Sequence, residues 1–258
     1  MSETVSLTFR AAGDGPPLVL LHAFPLTAEQ WEANTGRLKS HALVVAPHLR
    51  GFGTSPVAAS ATMEEMADDV VRLCDRLGIG RAVFGGCSMG GYVAFAIRRR
   101  HPGRVRGLIL ADTRVVADTA EQRAGRATFA ATVLEQGAEA AADALMPRLL
   151  RKTAGEAERK LVRGMILKNR PAGIAAALHG LGARPDVSAE LPGITVPVLA
   201  VCGAEDEISP PAEMRAWAQA MPRAEFVELP AAGHLANIEN RAGFEGAVAR
   251  FLEGLKDP

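Results

Sequence analysis

A chain of 258 residues, 48% of them hydrophobic, can bury one large core, with or without an inserted cap. Its 29 basic and 29 acidic side chains balance, which argues against nucleic acid and against an anionic membrane surface as partners. No apolar run approaches the ~18 residues of a membrane span, and Met1 to Gly13 holds no long apolar segment, so neither a spanning helix nor a secretory leader is expected.

Val5 to Phe9 reads as an opening strand, followed by turn chemistry from Gly13 to Pro17. Leu18 to Leu21 is a continuous apolar run, the pattern of a strand buried on both faces, and it ends in His22-Ala23-Phe24-Pro25. Thr27 is placed to cap a helix through about Leu38. Ala42 to Ala46 is the next buried strand and runs into a glycine-rich loop, Pro47 to Ser55. Thr62 is placed to cap an amphipathic helix to about Leu77, whose Met63, Met66, Val70, Leu73 and Leu77 recur at helical spacing and read as core.

Ala82-Val83-Phe84 then precedes Gly86-Cys87-Ser88-Met89-Gly90-Gly91, and Tyr92 to Arg100 follows with helical character. The order is strand, sharp turn, helix, with Ser88 at the apex. Such a turn is crowded and strained, and Gly86 and Gly90 supply the small residues it needs. The helix opening there directs its N-terminal amides at any oxyanion forming beside Ser88. Cys87, next to the apex, points elsewhere in a tight turn. Arg98-Arg99-Arg100 reads as a solvated basic helix end before His101-Pro102-Gly103.

Leu108 to Ala111 is a further buried strand. From about Ala117 to Ala183 the alternation of strand and helix stops, and the composition turns to Ala, Arg, Glu and Leu, with Pro147, Gly155, Pro171 and Gly180 as candidate interruptions. Alternation resumes at Val196 to Val201 and ends with a strand, Phe226 to Leu229, and a helix, Ala242 to Leu255. The expected fold class is α/β: a mostly parallel central sheet flanked by helices, formed by residues 1–116 and 184–258, with an all-helical cap, 117–183, inserted in it.

A nucleophilic serine needs a base, an acid to orient the base, and donors for the oxyanion. In an open parallel sheet these come from loops at the carboxyl ends of the strands. His234, in the small-residue loop Ala231-Ala232-Gly233-His234 after the last strand, is the candidate base. Asp206, in Gly203-Ala204-Glu205-Asp206-Glu207, is the candidate acid, with Glu205, Glu207 and Asp112 as competitors. The chain order Ser88, Asp206, His234 is the one this sheet type uses. The backbone amides of Phe24 and Met89 are the candidate oxyanion donors. Phe24, Met146, Leu149 and Met165 are candidate pocket linings on apolar character; Arg123, Arg126 and Arg148 are cations that an acidic substrate could meet, but solvated helix faces are the simpler explanation of them.

Cofactors are not expected. Gly51-Phe52-Gly53 lacks the third glycine of a dinucleotide loop, and no His-Glu-x-x-His or clustered His/Asp pattern supports a catalytic metal. Cys74, Cys87 and Cys202 are odd in number and match no zinc spacing, so reduced thiols in a cytoplasmic protein are the expectation.

These segments together resemble the α/β-hydrolase superfamily. The residues carrying the resemblance are His22-Ala23-Phe24-Pro25, Arg50-Gly51-Phe52-Gly53-Thr54-Ser55, the turn Gly86 to Gly91, Gly203 with Asp206 and Pro210, and Gly233-His234. Within the superfamily the chain looks most like small cofactor-free carboxylesterases and enol-lactonases of the 3-oxoadipate enol-lactonase kind, which share Ser-Met-Gly-Gly. The resemblance implies a serine hydrolase that cleaves a small carboxylic ester or lactone through an acyl-enzyme. Cofactor-free haloperoxidases and perhydrolases share the turn and set the alternative; a non-catalytic binder on the same fold is the remaining one. Three departures stand out: Ala23 where relatives often have glycine, His48 where aspartate is common, and Arg241 for a frequent proline. The second leaves Arg50 without its usual acceptor. Ser88, where aspartate would stand in haloalkane dehalogenases and epoxide hydrolases, argues against those activities.

Overall fold

The computed structural model describes residues 4–255; the first three residues of the stretch read above as lacking a leader lie outside them. Seven strands, β1 (Phe9–Ala12), β2 (Pro17–Leu21), β3 (Leu43–Pro47), β4 (Ala82–Cys87), β5 (Val105–Ala111), β6 (Val198–Gly203) and β7 (Ala224–Leu229), form one sheet in the order β1-β3-β2-β4-β5-β6-β7. β1 runs antiparallel to β3, and every other neighbouring pair is parallel. The central strands are apolar throughout because both faces are covered: Leu18 to Leu21 and Val198 to Cys202 are buried along their whole length. Each such side chain withdrawn from water contributes about 1.5–3 kcal/mol.

Helices α1 (Glu32–Leu38), α2 (Met63–Arg76), α3 (Met89–Arg100), α8 (Pro211–Ala218), α9 (Ala236–Glu239) and α10 (Arg241–Gly254) belong to this layer structure. α2 packs on α3 and α1 on α10, the latter contact carrying Trp31 against Phe244 at 5.8 Å between ring centroids. Thr62 caps α2 through a reciprocal box: its Oγ1 accepts from the Glu65 amide at 3.2 Å, and Glu65 Oε2 accepts from the Thr62 amide at 3.0 Å. Thr27, by contrast, precedes a 3₁₀ turn, Ala28–Trp31, and makes no side-chain cap.

Four helices lie between β5 and β6: α4 (Ala120–Gln136), α5 (Ala138–Leu149), α6 (Glu156–Leu167) and α7 (Pro171–Ala183). Gly155 and Pro171 stand at helix starts, but the break between α4 and α5 falls at Gly137, whose φ of 90° L side chains rarely adopt. Pro147 sits inside the last turn of α5. Gly180 is interior to α7, and a Cβ there would strike the Ala61 carbonyl, so its role is close approach and not termination.

Two further readings are corrected. The first strand is Phe9–Ala12 and not Val5 to Phe9. Val5 and Leu7 are buried in alternation with exposed neighbours, which mimics a strand, yet the Val5 amide donates to Asp69 Oδ1 and the Thr8 amide to Ser55 Oγ. Those donors are taken by side chains, and the ladder begins only at Phe9 opposite Pro47. Arg50, expected to lack an acceptor with His48 in place of an acid, donates from Nε to Asp69 Oδ2 at 2.6 Å and from Nη1 to the Ser60 carbonyl at 3.0 Å. α2 therefore supplies the missing carboxylate. His48 instead accepts the Ala28 amide on Nδ1 at 3.2 Å.

Candidate active site

The parallel register brings the carboxyl ends of the strands level, with Leu21 beside Gly86, Cys87 beside Ala111 and Ala111 beside Val201. The loops after β2, β4, β5, β6 and β7 consequently open on one edge, and the sequence-derived candidates for nucleophile, base, acid and oxyanion donor sit there.

Ser88 joins β4 to α3 with φ 51° and ψ −112°, a conformation costly for a residue with a Cβ. The neighbours enforce it. A Cβ at Gly86 would meet the Gly90 carbonyl, and one at Gly90 would meet the Leu21 carbonyl, so the turn closes only with glycine at both positions. Hydrogen bonds to β5 and its following loop hold it in place: the Ser88 amide donates to Ala111 O at 2.9 Å, and Thr113 Oγ1 donates to Ser88 O at 2.8 Å. Ser88 is partly exposed, whereas Met89, first in α3, is buried.

Asp206 lies in the turn after β6 and is 4% exposed. Its Oδ1 accepts from the Ile208 and Ser209 amides at 2.8 and 3.0 Å. The carboxylate thus anchored faces His234, whose Nδ1 lies 2.8 Å from Asp206 Oδ2 and 3.0 Å from Oδ1. With Nδ1–H donated to a carboxylate, Nε2 is the free nitrogen, the arrangement a general base requires. His234, itself 2% exposed, and Ser88 line the same cavity of about 340 Å³. The loop bearing His234 is pinned by Glu239, whose Oε2 accepts the Gly233 amide at 2.7 Å and whose Oε1 accepts the Arg151 amide at 3.0 Å. Burial raises the Glu239 pKa against the pull of these amides and of Arg151.

Of the competing acids, Glu205 and Glu207 are exposed, and Glu207 forms an ion pair with Lys152 at 3.0 Å. Asp112 is fully buried but does not bond His234. Its oxygens accept the Gly203 amide at 2.8 Å and the Ala236 amide at 3.2 Å, tying the end of β6 to the segment after the histidine. Burial, and then the Asp206 charge, push its pKa well above the usual carboxylate range. Asp112, Cys202 and Asp206 bring ligand-type atoms within 4.8 Å of one another. Asp112 and Asp206 Oδ1 already accept backbone amides, Asp206 Oδ2 accepts from the His234 ring, and the Cys202 thiol, its pKa raised by burial, donates toward the Gly203 and Ser209 carbonyls, so the three groups are engaged in packing.

Phe24 follows β2, lines the cavity and packs its ring edge-on to Phe52 at 6.1 Å. Its loop is held by a link that sequence patterns do not signal. Gln30 Oε1 accepts the Ala23 amide at 2.7 Å while Gln30 Nε2 donates to Asn237 Oδ1 at 3.0 Å, which couples the loop after β2 to the one carrying His234. Leu149 lines the cavity as expected from its apolar character, with Leu145 and Leu178. Met146 and Met165 do not line it. Met165 is 1% exposed and belongs to the inward stripe of α6; Met146 lies one step around α5 from Leu145 and packs on the core. Apolar character alone does not say which side of a helix meets the cavity. Arg126 and Arg148 line it, and Arg123 does not.

A model of the alpha/beta hydrolase fold family matches residues 16–241. Among solved structures, a thermophilic esterase from Thermogutta terrifontis, with malate bound, superposes with a TM-score of 0.96 at 40% identity, covering 98% of this chain and 95% of that one. The enol-lactonase from Burkholderia xenovorans LB400 superposes at 0.87 with 33% identity, covering 96% and 97%. 3-Oxoadipate enol-lactonase 2 from Acinetobacter baylyi is 26% identical over 98% of this chain and 95% of its own length. The strained serine turn, the sheet order and these likenesses over nearly the full length agree: the chain belongs to the α/β-hydrolase family.

Proposed function

We propose that the protein is a serine hydrolase of small carboxylic esters or lactones that works through an acyl-enzyme on Ser88. The observation that carries this reading is the buried His234–Asp206 hydrogen bond of 2.8 Å at the wall of the cavity that Ser88 also lines. His234 Nε2 takes the Ser88 proton as Oγ attacks the acyl carbon, and Asp206 holds the ring and offsets the imidazolium charge. The oxyanion settles on the amides of Met89, at the start of α3, and Phe24, after β2; each such donor is worth about 3 kcal/mol in the barrier. His234 then gives its proton to the leaving alkoxide, and a water activated by the same nitrogen releases the acid. The relatives named esterase and enol-lactonase support the ester and lactone classes. Helices α4 to α7 act as the cap, with Phe24 and Leu149 contacting the substrate.

Among the described residues no helix is long and apolar enough to cross a membrane. The three cysteines are buried and free, which supports a reducing, cytoplasmic setting. A fluorophosphonate probe together with p-nitrophenyl ester turnover tests the reading. Labelling of wild type that Ser88→Ala abolishes, with turnover lost in parallel, is expected; turnover that survives Ser88→Ala overturns it.

A further inference from the structure

The amide that the oxyanion requires from the loop after β2 belongs to Phe24, and among the described residues no hydrogen bond uses it. Its direction is set one residue earlier. The Ala23–Phe24 peptide is trans, so the Phe24 N–H points away from the Ala23 carbonyl. That carbonyl accepts from the Leu26 amide at 2.8 Å and from His22 Nδ1 at 2.9 Å. The peptide plane on the other side of Ala23 is held by Gln30, whose Oε1 accepts the Ala23 amide at 2.7 Å. With both planes held, φ and ψ of Ala23 are fixed, and the Phe24 N–H is aimed by groups that never touch it.

Gln30 ends a line of buried side chains whose hydrogen bonds all run the same way. Glu245, on α10, accepts from Asn34 Nδ2 at 3.3 Å. Asn34 Oδ1 accepts from Asn237 Nδ2 at 2.9 Å, and Asn237 Oδ1 from Gln30 Nε2 at 3.0 Å. Gln30, Asn34, Asn237 and Glu245 are each at most 4% exposed. The order cannot be reversed, because the same nitrogens serve main-chain carbonyls: Asn237 Nδ2 donates to Gln30 O at 3.2 Å and Asn34 Nδ2 to Asn237 O at 3.0 Å. A carboxylate terminates the line at one end and a main-chain N–H at the other, and bonds polarised in one direction strengthen one another. The Gln30 amide also faces the thiol of Cys87, which precedes the nucleophile and lies 3.7 Å from the His234 carbonyl. Gln30 therefore stands where the oxyanion, serine and histidine loops meet.

We propose that Gln30 is a positioning residue for the reaction: held by the Glu245–Asn34–Asn237 line, it fixes Ala23 so that the Phe24 amide meets the oxyanion as it forms. This rests on the hydrolase reading above. The effect falls on the transition state, because a ground-state carbonyl draws far less on that donor than the oxyanion does.

Gln30→Met, of similar volume, keeps the packing and removes both bonds. It lowers kcat for a p-nitrophenyl ester about 10- to 100-fold, with KM within about two-fold of wild type. Inhibition by an alkyl trifluoromethyl ketone, whose adduct with Ser88 carries an oxyanion, weakens by the same factor. Gln30→Glu keeps the acceptor for the Ala23 amide and, while protonated, offers an O–H to Asn237 Oδ1 in place of the lost N–H. Its kcat relative to wild type, taken at each pH from about 5 to 10, is highest at low pH and falls as the introduced carboxyl ionises. Glu29, Glu32 and Glu239, which line a groove with Gln30, and Cys87 and Glu245 are common to both proteins and cancel in the ratio. A kcat that Gln30→Met does not move, a loss carried by KM alone, or a Gln30→Glu ratio flat with pH overturns the proposal. Should Gln30→Met fail to fold, the Gln30→Glu profile decides. If wild type turns over no ester, the hydrolase reading fails on its own, and amide hydrogen exchange in Asn237→Ala still decides the positioning. Faster exchange at the Ala23 amide, which Asn237 reaches only through Gln30, supports it; unchanged exchange overturns it.

Discussion

The loops at the carboxyl edge of the sheet and the four helices inserted between β5 and β6 share one cavity, yet they are held by opposite means. At the sheet edge the backbone decides. Ser88, Asp112 and Ala231 all adopt positive φ, at 51°, 45° and 53°, and at Ser88 the flanking Gly86 and Gly90 leave room for no other side chain. Carboxylates there accept main-chain amides: Asp206 takes those of Ile208 and Ser209, Asp112 those of Gly203 and Ala236. In the insertion, side chains decide. α4 buries only Ala130 and Val133 fully, leaves Leu134 57% exposed, packs along α7 and is pinned at its start by the Arg126–Asp118 pair. Geometry that must be correct to a fraction of an ångström sits on the part that cannot relax. On the proposed reading, substrate selection would sit on the part that can change without disturbing it.

The largest expected effects test whether the chemistry is confined to the edge. Ser88→Ala should lower kcat by about 10⁴- to 10⁶-fold with the fold intact by circular dichroism. Asp206→Asn should cost about 10⁴-fold, since an amide favours the wrong imidazole tautomer. Asp112→Asn should cost far less activity and more stability, because Asp112 contacts amides and not the ring. A reversal of that order, measured by kcat and by urea midpoint on both variants, would move the orienting role to Asp112. Gly90→Ala comes next: its methyl meets the Leu21 carbonyl, so loss of about 3 kcal/mol or more, or failure to fold, is expected by denaturation.

His22 supplies a pH-dependent test of the same rigidity. Its Nδ1–H donates to the Ala23 carbonyl at 2.9 Å and its Nε2 accepts the Leu49 amide at 3.0 Å, a pattern that only the neutral ring satisfies. Burial lowers its pKa to about 3, with the Ala23 hydrogen bond opposing and the His48 charge assisting. Between about pH 6.5 and 3 the unfolded chain binds the proton that the folded chain refuses. Stability therefore rises with pH across that window and is lost as pH falls below 6.5, by about 2 kcal/mol from this residue at pH 5. Urea melts of wild type and His22→Asn at pH 7 and pH 5 isolate it from the carboxylates. The wild type should lose more on acidification, and equal losses would refute the assignment.

The same contrast explains what was legible in the sequence. The alternation of buried strands and helices, and with it the fold class, follows from apolar runs and caps that act locally. The turn at Ser88 and the loop at His234 were legible for the same reason, since glycine positions and chain order announce them. Gln30 and Asn237 were not, because their contact spans 207 residues and neither has a local signature. Asp69, which satisfies Arg50, has no local signature that separates it from the other acids of α2. In the insertion, Leu145 and Leu149 stand four apart on α5 and face the cavity, whereas Met146 is one position off that stripe. Periodicity carried the information there, and apolar character without it did not.

The smallest expected effect is also the most direct comparison of the two regions, because each contains the same capping device. Thr62 and Glu65 close a box at the start of α2, and Thr119 and Gln122 close one at the start of α4, where Gln122 Oε1 accepts the Thr119 amide at 2.9 Å and Thr119 Oγ1 accepts the Gln122 amide at 3.2 Å. Replacing either threonine by alanine removes one capping bond at about 1 kcal/mol. In α2, whose buried face is packed in the core, that loss is expected as lower global stability with KM for a p-nitrophenyl ester unmoved. In α4, Gln122, Gly125, Arg126 and Phe129 line the cavity on a helix with little buried surface, so the first turn opens locally before the domain unfolds. Thr119→Ala should then raise KM about two- to five-fold, by fraying part of the binding wall, while kcat and the urea midpoint hardly change. A fall in the urea midpoint matching that of Thr62→Ala, with KM unchanged, would mean that the insertion unfolds with the sheet as a single unit, and the division of labour drawn between them would be wrong.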